Sequence, residues 1–218
     1  MGLAEQTMKL TQDFISSQSD ENQAIIQDAF ATINAADYGD NALREGDQAK
    51  SFQLPNAKGG ETALSDLLTQ GPVVISFYRG GWCPYCNLEF KALNDILPTI
   101  KELGANLVGV SPQLPDNSMN TVEKHGLKFE VLSDVGNVVA REYGIVMDVP
   151  ATMQPLYLEW GLDVPAANGD DTWELPIPAT FVIDSDGQIV LAYVNKNYTE
   201  RLEPSQIIKA LESIHVSA

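Results

Sequence analysis

Metal ligands are scarce in this chain. Two histidines, His125 and His215, and two cysteines, Cys83 and Cys86, are all that 218 residues supply, and a closed zinc site needs four such ligands. Cys83 and Cys86 lie three positions apart, but His125 falls at the end of a predicted helix and His215 near the carboxyl terminus. Both histidines read as surface residues, and no metal or other cofactor is expected. Basic residues are the next shortage: 13 Lys and Arg face 30 Asp and Glu, a formal net charge of −17. Such a balance repels phosphate backbones and anionic membrane surfaces alike, which argues against a nucleic-acid partner. Long apolar runs are missing too. No stretch approaches the roughly 20 residues that span a bilayer, and the amino terminus lacks the basic-then-apolar order of a signal peptide. Met1-Gly2 opens like a myristoylation signal, yet Gln6 stands where Ser or Thr is required. The chain therefore reads as cytoplasmic, with no membrane association. In that reducing compartment a cysteine pair is more often catalytic or metal-binding than a structural staple.

What remains is an ordinary globular composition, 44% hydrophobic and 20% charged, in a chain long enough to bury a core without disulfides. The length allows one domain with an extension, or at most two small domains. Residues 1–42 read as a helical amino-terminal extension. Leu3, Thr7, Leu10 and Phe14 share one helix face; Ile25, Ile26, Ala29, Phe30 and Ile33 share another; Ser19 with Asp20 supplies the cap between them. This extension either packs on the body or pairs with another subunit as a homodimer.

Residues 43–218 then alternate strands and helices. A short strand into Leu54 and a turn at Asn56 to Gly60 precede a helix that Ser65 caps. Val73 to Tyr78 is an apolar, β-branched run without alternation, the signature of a strand covered on both faces. A long helix carries Leu88, Ala92, Leu93, Ile96, Leu97 and Ile100 on one stripe, with Pro98 expected to kink or divide it. Asn106 to Ser111, a helix ending at Gly126, a strand over Phe129 to Leu132 and a helix from Val138 follow. Residues 146–176, punctuated by Pro150, Pro155 and Pro165, read as an insertion with one short helix near Pro155 to Trp160. Ala179 to Ile183 and Ile189 to Val194 flank Asp186-Gly187 as a hairpin, and Ser205 opens a last helix.

The chemistry lies between Val73 and Glu89, which hold both cysteines. A strand ends at Arg79-Gly80-Gly81, and Trp82-Cys83-Pro84-Tyr85-Cys86 leads into the long helix. Pro84 suits the first helical position, placing Cys83 at the helix mouth and Cys86 one turn inside. Unpaired N–H groups and the positive dipole end at a helix start favour a thiolate. Zinc binding, a purely structural pair and redox chemistry are the three readings of such a pair. Arg79 either favours the thiolate and orients a substrate oxygen, or pairs with a surface carboxylate. Arg201 is a weaker candidate for the same site, and Tyr157 and Trp173 read as core of the insertion.

Trp82-Cys83-Pro84-Tyr85-Cys86 resembles the active site of the thioredoxin superfamily, and Ile177-Pro178-Ala179-Thr180-Phe181 resembles its cis-proline loop. The chain around them is similar to the peroxiredoxin branch, in particular the alkyl hydroperoxide reductase and thiol-specific antioxidant group. Gly46-Asp47-Gln48-Ala49, Leu64-Ser65-Asp66-Leu67, Cys86-Asn87-Leu88-Glu89 and Phe181-Val182-Ile183-Asp184 carry that likeness from about Leu43 to Leu211. Three departures stand out: the peroxiredoxin proline and threonine positions hold Arg79 and Cys83, and the arginine that usually precedes the late strand gives way to Ile177-Pro178. The resemblance implies an α/β thioredoxin-like fold, a central mixed sheet flanked by helices, with a cis bond at Pro178 beside the cysteines. It implies thiol-dependent reduction of hydrogen peroxide or alkyl hydroperoxides, with an antioxidant role and a thiol electron donor of thioredoxin, glutaredoxin or glutathione type. Arg79, Trp82, Pro84 and Pro178 would shape the site. A thiol-disulfide oxidoreductase and a redox-inactive binding module are the alternatives, and either Cys83 or Cys86 attacks first.

Overall fold

The computed structural model describes residues 1–216, with side chains through Ile214; the side chain of His215 lies outside the described residues. Helices α1 (Leu3–Ser16) and α2 (Asp20–Ala35) come first, with the Ser19 side chain accepting from the Asn22 N–H at 3.2 Å. Strands β1 (Gln53–Pro55) and β2 (Glu61–Ala63) form an antiparallel hairpin, followed by α3 (Leu64–Leu68). Ser65 is not its cap. The N-cap is Ala63, two residues earlier, and Leu64, already buried, donates its N–H to the Phe52 carbonyl.

Then come β3 (Val73–Phe77), α4 (Pro84–Glu102), β4 (Asn106–Ser111), α5 (Pro115–His125), β5 (Glu130–Ser133) and α6 (Val138–Glu142). The next segment holds β6 (Val146–Asp148), α7 (Gln154–Glu159), α8 (Val164–Asn168) and β7 (Glu174–Pro176). Strands β8 (Ala179–Ile183) and β9 (Ile189–Val194) and helix α9 (Pro204–Val216) complete the chain. The central sheet has the order β5-β4-β3-β8-β9. Strands β3, β4 and β5 run parallel, while β8 is antiparallel to both β3 and β9. Every residue of β3 is buried because both faces of the sheet are covered. Val73, Ile75 and Phe77 join one core cluster, and Val74 joins the other beneath α4 and α9.

Three expectations fail here. First, residues 146–176 hold more than one short helix: β6 pairs antiparallel with β7, and α8 forms with the Asp163 side chain accepting from the Ala166 N–H at 3.0 Å. Pro165 reads as a breaker, yet it sits in the first turn of α8, where a missing N–H costs nothing. Second, of the two outcomes expected at Pro98, division does not occur: α4 continues through it to Glu102, with Leu97 and Ile100 buried on either side. Third, no described peptide bond is cis, so Ile177-Pro178 is trans. The Ile177 N–H donates to the Ile145 carbonyl at 2.6 Å, and Ala179 already pairs with Phe77. Between those anchors the chain stays extended from β7 into β8, and trans is the lower-energy form of an X-Pro bond.

The apolar faces of α1 and α2 are packed on their own chain. Leu3 and Thr7 are buried, and Leu10 joins the cluster under α4. Ile26 and Ala29 share a third cluster with Val149, Met153, Leu156, Tyr157, Val164 and Leu175, so α2 and residues 146–176 share a core. Among the described residues no helix is long and apolar enough to cross a membrane.

Candidate active site

Strand β3 delivers the chain to a tight turn, Arg79 to Cys83, ahead of α4. Cys83 is the N-cap and Pro84 the first helical residue, as the local sequence predicts. The Cys83 N–H donates to the Gly80 carbonyl at 3.0 Å, and the Gly81 N–H to Gln113 Oε1 at 2.8 Å. Asn87 Nδ2 donates to the Gly81 carbonyl at 3.1 Å, tying the turn to α4. Both glycines are required by close approach. A Cβ on Gly80 would lie 2.3 Å from the Trp82 indole nitrogen, and one on Gly81 would lie 2.1 Å from Thr121 Oγ1.

Cys83 and Cys86 are free thiols and both are buried. Arg79 is buried as well. Its Nη2 donates to the Tyr157 hydroxyl at 2.5 Å, and its guanidinium carbon lies 4.0 Å from the Tyr198 ring centroid and 5.2 Å from that of Trp82. It forms no ion pair with a carboxylate among the described residues. Arg201, from the loop after β9, reaches the other thiol: Nη2 donates to Cys86 Sγ at 3.3 Å. Its Nε donates to Glu89 Oε2 at 2.7 Å, and Nη1 to the carbonyls of Tyr198 and Glu200.

Burial alone would push both thiols up, since it penalises the charged form. At Cys83 that effect is outweighed by the S–H of Cys86, the guanidiniums of Arg79 and Arg201 and the Cys86 backbone N–H, which hold the thiol well below its usual range. At Cys86 burial and the neighbouring Cys83 thiolate act together and push the thiol well above it. Although Arg201 touches Cys86, Cys83 carries the charge: it holds the helix N-cap and accepts from its partner. Burial pushes the Glu89 carboxyl up to about 7 against the pull of Arg201.

A cavity of about 150 Å³ opens against Cys83 but not Cys86. Trp82, Pro84 and Tyr85 wall it around the thiol, with Arg79 and Tyr198 beside them. Leu10 and Phe14 of α1 form one side, and Tyr157, Trp160 and Leu162 the other. The arrangement can hold a thiolate beside a cation inside an apolar chamber, with a second thiol behind it.

Of the residues singled out from sequence, the structure brings together Cys83, Cys86, Arg79, Trp82, Pro84 and Arg201. Pro178 is buried at the entry to β8 and does not line the chamber. Tyr157 belongs both to the third core cluster and to the chamber wall, while Trp173 packs on that cluster. His125 is half-buried rather than exposed, its Nε2 covered and without a hydrogen-bond partner. Sequence reasoning missed Glu89 as a site residue, though its place one turn after Cys86 on α4 was a signal. It also missed Tyr198 and the role of Leu10 and Phe14; their shared face marked a helix, not what the helix covers.

The family model described as the AhpC/TSA family matches residues 45–192. A thiol-disulfide oxidoreductase ResA of Bacillus anthracis is 27% identical over 162 residues, 74% of this chain and 76% of the relative. A chloroplastic peroxiredoxin Q of Populus jackii is 28% identical over 172 residues, 79% of this chain and 70% of the relative. The crystal structure of peroxidoxin BcpB from Mycobacterium tuberculosis superposes with a TM-score of 0.62 at 23% identity, covering 79% of this chain and 98% of that one. A peroxiredoxin-like protein from Aquifex aeolicus gives 0.63 at 19% identity, covering 79% and 88%. The thioredoxin-like fold implied by the sequence is the fold present.

Proposed function

Because this chain belongs to the AhpC/TSA family and is an oxidoreductase, we propose that it reduces hydroperoxides, with Cys83 as the attacking thiolate and Cys86 as the resolving thiol. The observation that carries this reading is the placement of Cys83. It is buried at a helix mouth, held as a thiolate, and opens only on a small chamber that it shares with Arg79. A peroxide fits such a chamber, whereas a protein disulfide needs an exposed sulfur.

In the first step the Cys83 thiolate attacks the terminal oxygen of the hydroperoxide. An S–O bond forms, the O–O bond breaks, and the departing alkoxide or hydroxide takes up a proton. Cys83 is then a sulfenic acid. Cys86 next attacks the Cys83 sulfur, the S–O bond breaks, water leaves and a disulfide forms. Two equivalents of an external thiol restore the dithiol. Arg79 stabilises the thiolate and the charge on the departing oxygen, while Arg201 and Glu89 hold Cys86 behind it. The register of the peroxiredoxin pattern would make Cys86 the attacker; the geometry supports the reverse.

A brief peroxide pulse followed by mass spectrometry tests the roles. Sulfenic acid is expected in Cys86→Ser and not in Cys83→Ser; the opposite pattern reverses them. Oxidation of the reduced protein no faster than free cysteine, followed by Trp fluorescence, removes the peroxidase reading. A disulfide oxidoreductase is the second reading, supported by the Cys-Pro-Tyr-Cys dithiol and the likeness to ResA, and insulin reduction tests it. The inward packing of α1 and α2 supports a monomer over a homodimer through these helices, which light scattering distinguishes.

A further inference from the structure

Breaking the O–O bond leaves a hydroxide or alkoxide that must take up a proton beside Cys83. Three tyrosines line the chamber with Cys83 and Arg79: Tyr85, Tyr157 and Tyr198. They present different atoms. The Tyr85 hydroxyl accepts from the Thr11 hydroxyl at 3.2 Å, on the α1 side, and Tyr198 turns its ring to Arg79, with the guanidinium carbon 4.0 Å from the ring centroid. Tyr157, from α7, meets Arg79 through its oxygen, accepting from Nη2 at 2.5 Å. A lone pair of that oxygen is used, but its own hydrogen is left over, and among the described residues no acceptor takes it. The ring is buried and packed between Trp82 and Trp160, with centroids 6.2 Å and 5.8 Å away, so the hydroxyl is held in place.

We infer that the Tyr157 hydroxyl is the acid that protonates the oxygen leaving the peroxide, and that Arg79 holds the phenolate so formed. The charges balance at every stage. Arg79 has no carboxylate partner among the described residues, so in the resting site the Cys83 thiolate is its counter-charge. As the S–O bond forms and the O–O bond breaks, that negative charge passes to the departing oxygen and Cys83 becomes a neutral sulfenic acid. A buried cation would then lose its partner, which is costly. Transfer of the Tyr157 proton releases water or an alcohol and puts the charge on the phenol oxygen, already hydrogen-bonded to Arg79. The transfer runs downhill, because a phenol is a far stronger acid than water or an aliphatic alcohol. The phenolate regains its proton from water before the next cycle. Helix α7 thereby adds a catalytic group to a site otherwise built from the turn before α4 and the loop after β9.

This inference rests on Cys83 being the peroxide-attacking thiolate, and the choice of oxidant separates the two. Peracetic acid expels acetate, which leaves without a proton, whereas hydrogen peroxide expels hydroxide, which needs one. Oxidation of the reduced full-length protein is followed by stopped-flow Trp fluorescence with each oxidant, in the native protein and in Tyr157→Phe. The variant is expected to slow by about 10²–10⁴-fold with hydrogen peroxide, the usual share of a general acid, and to keep most of its rate with peracetic acid. Slowing by the same factor with both oxidants would mean that the hydroxyl only positions Arg79. That result, or no slowing with either, overturns the inference and leaves the peroxidase reading standing. Should Tyr157→Phe fail to fold, Tyr157→fluorotyrosine keeps the hydrogen bond and makes the phenol a stronger acid. The high-pH fall in its hydrogen peroxide rate is then expected to begin at lower pH while the peracetic acid profile stays put; an unmoved hydrogen peroxide profile overturns the inference. Oxidation of the native protein by neither oxidant faster than free cysteine overturns the peroxidase reading and the inference together.

Discussion

At the scale of single residues, the site is held by charges that burial makes strong. Arg201 and Glu89 meet at 2.7 Å with side chains 1% and 3% exposed, and such a pair is costly to break because either partner alone is a buried, uncompensated charge. The Glu89 carboxyl binds its proton more tightly in the folded chain, near 7, than at its ordinary value of 4.5. Its contribution to stability is therefore fully present below about pH 4.5 and lost as pH rises through about 7. Glu89→Gln removes that dependence. Denaturant unfolding at pH 5 and pH 8 is expected to show the native protein losing roughly 1–3 kcal/mol more than the variant over this interval. Comparing the two cancels the thiols, which titrate in both. Equal losses would mean that Glu89 stays ionised throughout.

At the scale of elements, the turn between β3 and α4 fixes where the thiol stands, and it depends on two glycines for different reasons. Gly80 makes room for the indole of Trp82, while Gly81 makes room for Thr121 on α5. Gly81→Ala is expected to cost about 1–3 kcal/mol by overpacking, read as a lowered unfolding midpoint. Thr121→Ala in the same chain should recover part of it, since the Oγ1 atom nearest the added methyl is gone; additive effects would rule the contact out. Much of this element was legible in sequence. The run Val73 to Phe77 without alternation, the double glycine, and Pro84 after Cys83 are local signals, and β4, β8 and β9 fall where they predict. The rest depends on contacts far apart in the chain. Arg201 lies 115 positions from Cys86, and nothing near either residue announces that pair. Strands β6 and β7 are three residues each, too short to show a period, and the trans bond before Pro178 follows from how two strands are anchored rather than from Ile-Pro itself.

At the scale of the whole molecule, a net charge of −17 surrounds a site whose charged groups within reach of Cys83 are cationic. The two fields differ in range. Arg79 and Arg201 are buried and little screened, so they govern the thiol pKa, whereas the surface carboxylates act through water over about a Debye length, near 10 Å at 0.1 M salt. A thiol reductant approaching the oxidised protein meets the acidic field first. Reduction of the Cys83–Cys86 disulfide, once formed by peroxide, is therefore expected to depend on the charge of the donor. Anionic mercaptoethanesulfonate should be slow at low salt and accelerate as salt is added; cationic cysteamine should be fast and decelerate; neutral mercaptoethanol should change little. Stopped-flow rates for the three thiols between about 0.01 and 0.5 M salt, a range that takes the Debye length from about 30 Å to well under 10 Å, give the comparison. Parallel salt responses for all three would place the approach path outside the acidic field, and the excess of carboxylates would then bear on solubility alone.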